Sequence, residues 1–130
     1  MNPDPPVFVI DDEEPVRVSL GKLLRALGVP SQTFASAEAF LASYAGDRTG
    51  CLLVDIRMPG MSGLDLIEEL ARRDAPLPAI VMTGHTDMKA LQRLDSIRPI
   101  GFLEKPFSVG QLKAMLERWR ATLGGAGSPS

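Results

Sequence analysis

At 130 residues with a formal net charge of −2, the chain is sized for one domain with its own core and carries no basic surplus to draw nucleic acid. Hydrophobic residues are 45% of it and charged residues 23%, as in a globular protein, and no apolar run reaches the roughly 20 residues of a membrane helix. A single cysteine, Cys51, excludes an intrachain disulfide and suits a reducing cytoplasm, and no signal peptide opens the chain.

The chain begins its pattern with Val7, Phe8, Val9 and Ile10, an unbroken apolar run that reads as a strand buried on both faces of a parallel sheet. Asp11, Asp12, Glu13 and Glu14 follow at once. Neighbouring carboxylates repel unless something cationic sits beside them. The plain reading is a solvated acidic turn, with Glu13 and Glu14 favoured at the positive N-terminal end of a helix. Val16, Leu20, Leu23, Leu24 and Leu27 then recur at spacings of three and four, which predicts a helix over 15–27, with Pro15 in its first turn and Gly28 as its stop.

A more polar second strand, 31–35, suits a sheet edge, and Ser36 opens a short helix marked by Phe40, Leu41 and Tyr44. The third strand is Cys51 to Asp55, where Cys51 reads as a small buried hydrophobe. Ser62, with Asp65 three residues on, opens a third helix through Leu66, Ile67, Leu70 and Ala71. The fourth strand runs from Pro78 to Thr83, and Met88, Leu91 and Leu94 predict a fourth helix. Pro99 disfavours helix at Arg98, so that helix should stop early. Gly101 to Lys105 is the fifth strand, and Leu112, Met115, Leu116 and Trp119 mark a fifth helix with Ser108 and Gln111 placed as a capping box. There is no internal repeat. Residues 124–130, "GGAGSPS", read as a flexible tail or the start of a linker, leaving 1–123 as one domain.

Strands alternating with helices imply an α/β fold, a doubly wound (βα)5 domain on a five-stranded parallel sheet covered on both faces. In such sheets the functional crevice lies beyond the carboxyl ends of the strands. Asp11 and Asp12 follow the first strand, Asp55 ends the third, Thr83 the fourth and Lys105 the fifth. Solvated charges scattered at random need not coincide there, so the acidic turn reads as part of a site. Oxygen-only donors suit a hard cation, and Mg²⁺ held by carboxylates and waters is the expected occupant. Such a site fits phosphoryl transfer, which depends mostly on positioning and charge neutralisation. A carboxylate can itself be the nucleophile, and Asp55 is the central one. Lys105 would neutralise phosphoryl oxygens, and Thr83 would donate a hydrogen bond to one.

The segments "VFVIDDEEPVRVSL", "LLVDIRMPGMSGLDLIEEL", "PAIVMTGH" and "FLEKPF" occur in that order. Through them the chain resembles the CheY-like receiver domain of two-component response regulators, and most closely the receivers of FixJ-like, NarL-type nitrogen-fixation regulators, from Val7 to about Trp119. The resemblance implies a flavodoxin-like sheet order of 2-1-3-4-5 and Asp55 as the phosphoacceptor. It implies that Asp12, Asp55 and the backbone carbonyl of Arg57 bind Mg²⁺ directly, that Asp11 acts through a metal-bound water, and that Thr83 and Lys105 hold the phosphoryl group. A cis Lys105–Pro106 bond and an aromatic switch residue, Phe102, belong to the same expectation. So do a sensor histidine kinase as phosphodonor and a homodimer or output contact through the fourth helix, fifth strand and fifth helix. No direct nucleic-acid binding by this chain is implied, and no catalysis beyond its own phosphorylation and dephosphorylation.

Segment 88–102 departs from the family, with Ser96, Arg98 and Pro99 where Ala-Gly-Ala usually precedes the fifth strand. Partner choice is therefore its least transferable feature. His85, two residues past Thr83, reads either as a modulator of dephosphorylation or as a loop residue without a role. An aspartate-nucleophile phosphohydrolase of the haloacid-dehalogenase type would want a second aspartate where Arg57 stands, and a cap. A flavodoxin-like cofactor binder would want a phosphate-cradling loop where the acidic run stands. A stand-alone receiver acting as a phosphate sink and the receiver half of a transcription regulator both fit the residues.

Overall fold

The computed structural model describes residues 5–44, 46, 49–84, 92–93 and 97–127. Its strands are β1 (Val7–Ile10), β2 (Ser31–Phe34), β3 (Cys51–Asp55), β4 (Ala79–Thr83) and β5 (Gly101–Glu104). Helices with described bounds are α1 (Glu14–Ala26), α2 (Ala37–Ser43), α3 (Gly63–Arg72) and α4 (Val109–Gly127), the last being the fifth helix of the predicted series. The strands form one parallel sheet in the order β2-β1-β3-β4-β5, as the resemblance implied.

Strand geometry alternates side chains between faces, and both faces are covered. Val7, Val9, Cys51, Leu53, Ile80 and Met82 pack with Leu20 and Leu24 of α1 and with Leu112, Leu116 and Trp119 of α4. Phe8, Ile10, Leu52, Val54 and Ala79 pack on the opposite face with Phe40 of α2 and with Leu66 and Leu70 of α3. Every residue of β1, β3 and β4 is buried, which is why those strands read as continuous apolar runs. β2 lies at an edge and is only half-buried, hence its polar sequence. Burial pushes the Cys51 thiol up to about 12, so it sits in the core as a neutral small hydrophobe.

The predicted helix punctuation is present. Ser36 accepts from the Ala39 N–H at 3.0 Å, and Ser62–Asp65 and Ser108–Gln111 each close a reciprocal capping box. Past α1, Gly28 takes a φ of 75°, its N–H donates to the Arg25 carbonyl, and Val29 N–H donates to the Leu24 carbonyl at 2.9 Å. That is a Schellman stop, and Leu24 and Val29 share one core cluster. Asp74, φ 60°, fills the same role after α3, because a short polar side chain tolerates the left-handed region.

Two segments depart from the sequence pattern or escape it. Helix α4 runs on to Gly127, into the 124–130 stretch that composition assigned to a tail. Each further residue on a packed helix adds a backbone bond, which opposes the helix cost of glycine. Of the predicted fourth helix, Met88, Leu91 and Leu94 lie outside the described residues, as do His85 and Ser96. Arg98, before Pro99, has left the helical region with a φ of 55°, in line with the expected early stop.

Candidate functional site

The parallel register brings the strand ends together. Ile10 pairs with Val54, so the next residues, Asp11 and Asp55, emerge side by side from β1 and β3. Thr83 pairs with Glu104, so Lys105 leaves β5 beside the end of β4, and its N–H donates to the Thr83 carbonyl at 2.8 Å. The Lys105–Pro106 bond is cis.

Asp11 is wholly buried, whereas Asp12, one residue on, is exposed. Asp11 Oδ1 accepts the Glu13 N–H at 2.9 Å, and its main-chain carbonyl accepts from the Arg17 guanidinium at 2.8 Å. Asp55 is buried, and its Oδ1 accepts the Arg57 N–H at 3.1 Å. The Lys105 ammonium bridges the two acids, with Nζ 2.7 Å from Asp55 Oδ2 and 3.0 Å from Asp11 Oδ2, and Glu13 Oε1 stands 4.0 Å away. The sequence requires a cation beside these carboxylates, and Lys105 supplies one from within the fold.

Burial pushes the Asp55 carboxyl above the usual aspartate range, while the Lys105 hydrogen bond and charge and the Arg57 amide work against that rise. Burial would lower Lys105, but its hydrogen bonds to Asp55 and Asp11 outweigh this and hold it above the ordinary lysine value. The ammonium therefore stays charged at neutral pH.

Asp11, Asp12 and Asp55 each offer a carboxylate oxygen, and these oxygens lie within 4.8 Å of one another. Oxygens on opposite sides of a Mg²⁺ ion, each about 2.1 Å from it, stand roughly 4.2 Å apart, so the donor set fits a hard divalent cation after small side-chain rotations. Thr83 is buried at the end of β4, tied to Lys105 through its backbone. Phe102 is 55% exposed, so it is not a fixed part of the core.

The sequence reading missed contributors that act through backbone. Arg17 sits on α1 just past the acidic run and holds the Asp11 carbonyl, and a lone cation there was the available signal. Gly63 opens α3 directly against β3: a Cβ at that position would stand 2.3 Å from the Asp55 carbonyl oxygen. Only glycine allows the helix to start so close to the strand that carries Asp55. Its signal was the glycine directly after the cap residue Ser62.

The family model described as the response regulator receiver domain matches residues 7–117, most of the chain. The chain therefore belongs to the response regulator receiver domain family of two-component systems. It is 43% identical over 119 residues to the transcriptional regulatory protein FixJ of Azorhizobium caulinodans, covering 92% of this chain and 55% of that protein. It is 38% identical over 111 residues to FixJ of Bradyrhizobium diazoefficiens, covering 85% of this chain and 54% of the relative. Against the crystal structure of FixJ-N the TM-score is 0.82 at 39% identity, covering 90% of this chain and 94% of the other. The chain thus spans about half the length of these curated FixJ relatives. No helix among the described residues is long and apolar enough to cross a membrane.

Proposed function

We propose that the chain is a cytoplasmic phosphoryl-accepting switch in which Asp55 takes a phosphoryl group from a sensor histidine kinase. The observation that carries this reading is the Lys105 ammonium, 2.7 Å from Asp55 Oδ2 and 3.0 Å from Asp11 Oδ2, at the carboxyl edge of the sheet. Held by an amide at one oxygen and an ammonium at the other, the Asp55 carboxylate has a fixed orientation for in-line attack. As its oxygen bonds to phosphorus, the phosphorus–nitrogen bond to the donor imidazole breaks. The imidazole keeps that electron pair and takes up a proton. Mg²⁺, bound by Asp12, Asp55 and the Arg57 carbonyl with Asp11 reached through water, would supply charge that neutralises the phosphoryl oxygens.

The new phosphoryl group brings charge and acceptor oxygens that the Lys105 ammonium and the Thr83 hydroxyl reach. Drawing Thr83 inward vacates space beside β4, and the exposed Phe102, paired in register with Val81, rotates into it. The β5 face then presents an altered surface to an output or to a second copy. The names of the FixJ relatives support an output in transcription.

Acetyl phosphate tests both halves. With Mg²⁺, intact mass should rise by one phosphoryl group per chain, EDTA should prevent the rise, and the amide resonances of residues 101–104 should move. A chain that gains no mass with Mg²⁺ present overturns the phosphoacceptor reading. Mass gained while residues 101–104 stay put overturns the switch alone.

A further inference from the structure

The loop from β3 to α3 carries Arg57, and helix α2 grips it from outside. Met61 N–H donates to Glu38 Oε2 at 3.2 Å, across 23 positions of sequence. At the neighbouring Gly60 the φ is 77°, and a Cβ built there would stand 2.6 Å from that same oxygen. The Glu38 carboxylate thus lies directly against loop backbone, in space left by a missing side chain. Pro59 followed by a glycine of positive φ suits a tight turn at this point.

Glu38 is itself well placed to hold. It lies in the first turn of α2, between the Ser36 cap and the buried Phe40 that anchors the helix to the sheet. The ends of the loop have their own ties: Arg57 N–H to Asp55 Oδ1 at 3.1 Å, and the Ser62–Asp65 capping box. Met58, in the loop itself, is buried in the core cluster that also holds Phe40. The turn between those ties is where the Glu38 bond falls.

We infer that Glu38 is a positioning residue for the Arg57 backbone, so that α2 sets how readily the acidic corner takes a divalent cation. The functional half of this inference rests on the phosphoacceptor reading. A side chain that holds a metal-facing loop acts as outer partners of metal ligands do, where removal typically weakens metal binding by about tenfold or more. Glutamine at position 38 keeps an oxygen for the Met61 N–H and drops the charge. Alanine keeps neither, and aspartate keeps the charge but withdraws it by one methylene.

The test follows hydrogen exchange at the Met61 amide, the Mg²⁺ concentration that half-shifts the Arg57 amide, and acetyl phosphate labelling at saturating Mg²⁺. Glu38→Ala should lose Met61 protection and need about tenfold more Mg²⁺, yet label at the parental rate once Mg²⁺ saturates. Glu38→Gln should match the parent in all three. A Glu38→Ala protein with parental Mg²⁺ response overturns the inference, as does a Glu38→Gln protein as weak as the alanine variant, because charge alone would then account for the effect. Should alanine unfold the domain, Glu38→Asp decides: lost Met61 protection supports the hold, and parental protection overturns it. A parent that neither responds to Mg²⁺ nor takes label defeats the phosphoacceptor reading, while Met61 exchange in the variants still judges the hold on its own.

Discussion

Asp55→Asn is expected to take no phosphoryl group from acetyl phosphate and, in metal-free buffer at neutral pH, to melt above the parent. The loss of acceptance follows from the loss of the nucleophilic carboxylate, since an amide oxygen does not form the acyl phosphate. The gain in stability follows from burial. Burial raises the Asp55 carboxyl above its ordinary value of 3.8, so the folded state binds that proton more tightly than the unfolded chain does. Stability then falls as pH rises from 3.8 to the raised folded value, and stays lowered above it. Asparagine never ionises, so its advantage should be full at neutral pH and vanish below the ordinary aspartate range. Lys105 keeps Asp11 at 3.0 Å in the variant, and the asparagine carbonyl can accept from it as well. Melting curves across pH check this, and an asparagine variant that melts below the parent at neutral pH contradicts it. A functional carboxylate held at a cost to stability is the trade commonly met in active sites.

Lys105→Ala should have the largest effect on stability. It leaves the fully buried Asp11 facing Asp55 with no ammonium between them. Removing one partner from a buried ion pair costs about 3–5 kcal/mol, and because the lysine is partly exposed the expected loss here is about 2–4 kcal/mol. For a domain of this size that is roughly 10 °C in melting temperature. Mg²⁺ should restore more stability to the variant than it adds to the parent, since it substitutes for the missing charge and binds only the folded state. Labelling at saturating Mg²⁺ should fall by about 100-fold, the usual cost of losing one donor to a developing charge. Thermal melts with and without Mg²⁺, paired with labelling rates, check both. An alanine variant that melts with the parent would show that Lys105 does not hold the acidic corner together.

What the sequence made legible depends on how local the physics is. β1, β3 and β4 stood out because strands buried on both faces run apolar along their length, and the polar residues at or just past their carboxyl ends then named the crevice. Ser36, Ser62 and Ser108 were legible because a cap and its partner lie three residues apart. Contacts that span the chain leave no such trace. Nothing near Glu38 announces the Met61 amide, and nothing near Lys105 says that its ammonium bridges Asp11 and Asp55. The adjacent pair Asp11 and Asp12 looked alike in sequence, yet one is buried and the other exposed, because successive residues leaving a strand point to opposite sides. The exposure of Phe102 was hidden for a related reason: an edge strand offers few neighbours, and composition does not say which of its side chains they cover.

The position of the label tests the central claim most directly. Borohydride reduces an acyl phosphate to the alcohol, so a phosphorylated aspartate becomes homoserine and peptide mass mapping reads where. After acetyl phosphate and Mg²⁺, homoserine at position 55 and at no other aspartate is the expected result. Homoserine at Asp11 or Asp12 with Asp55 intact would contradict it.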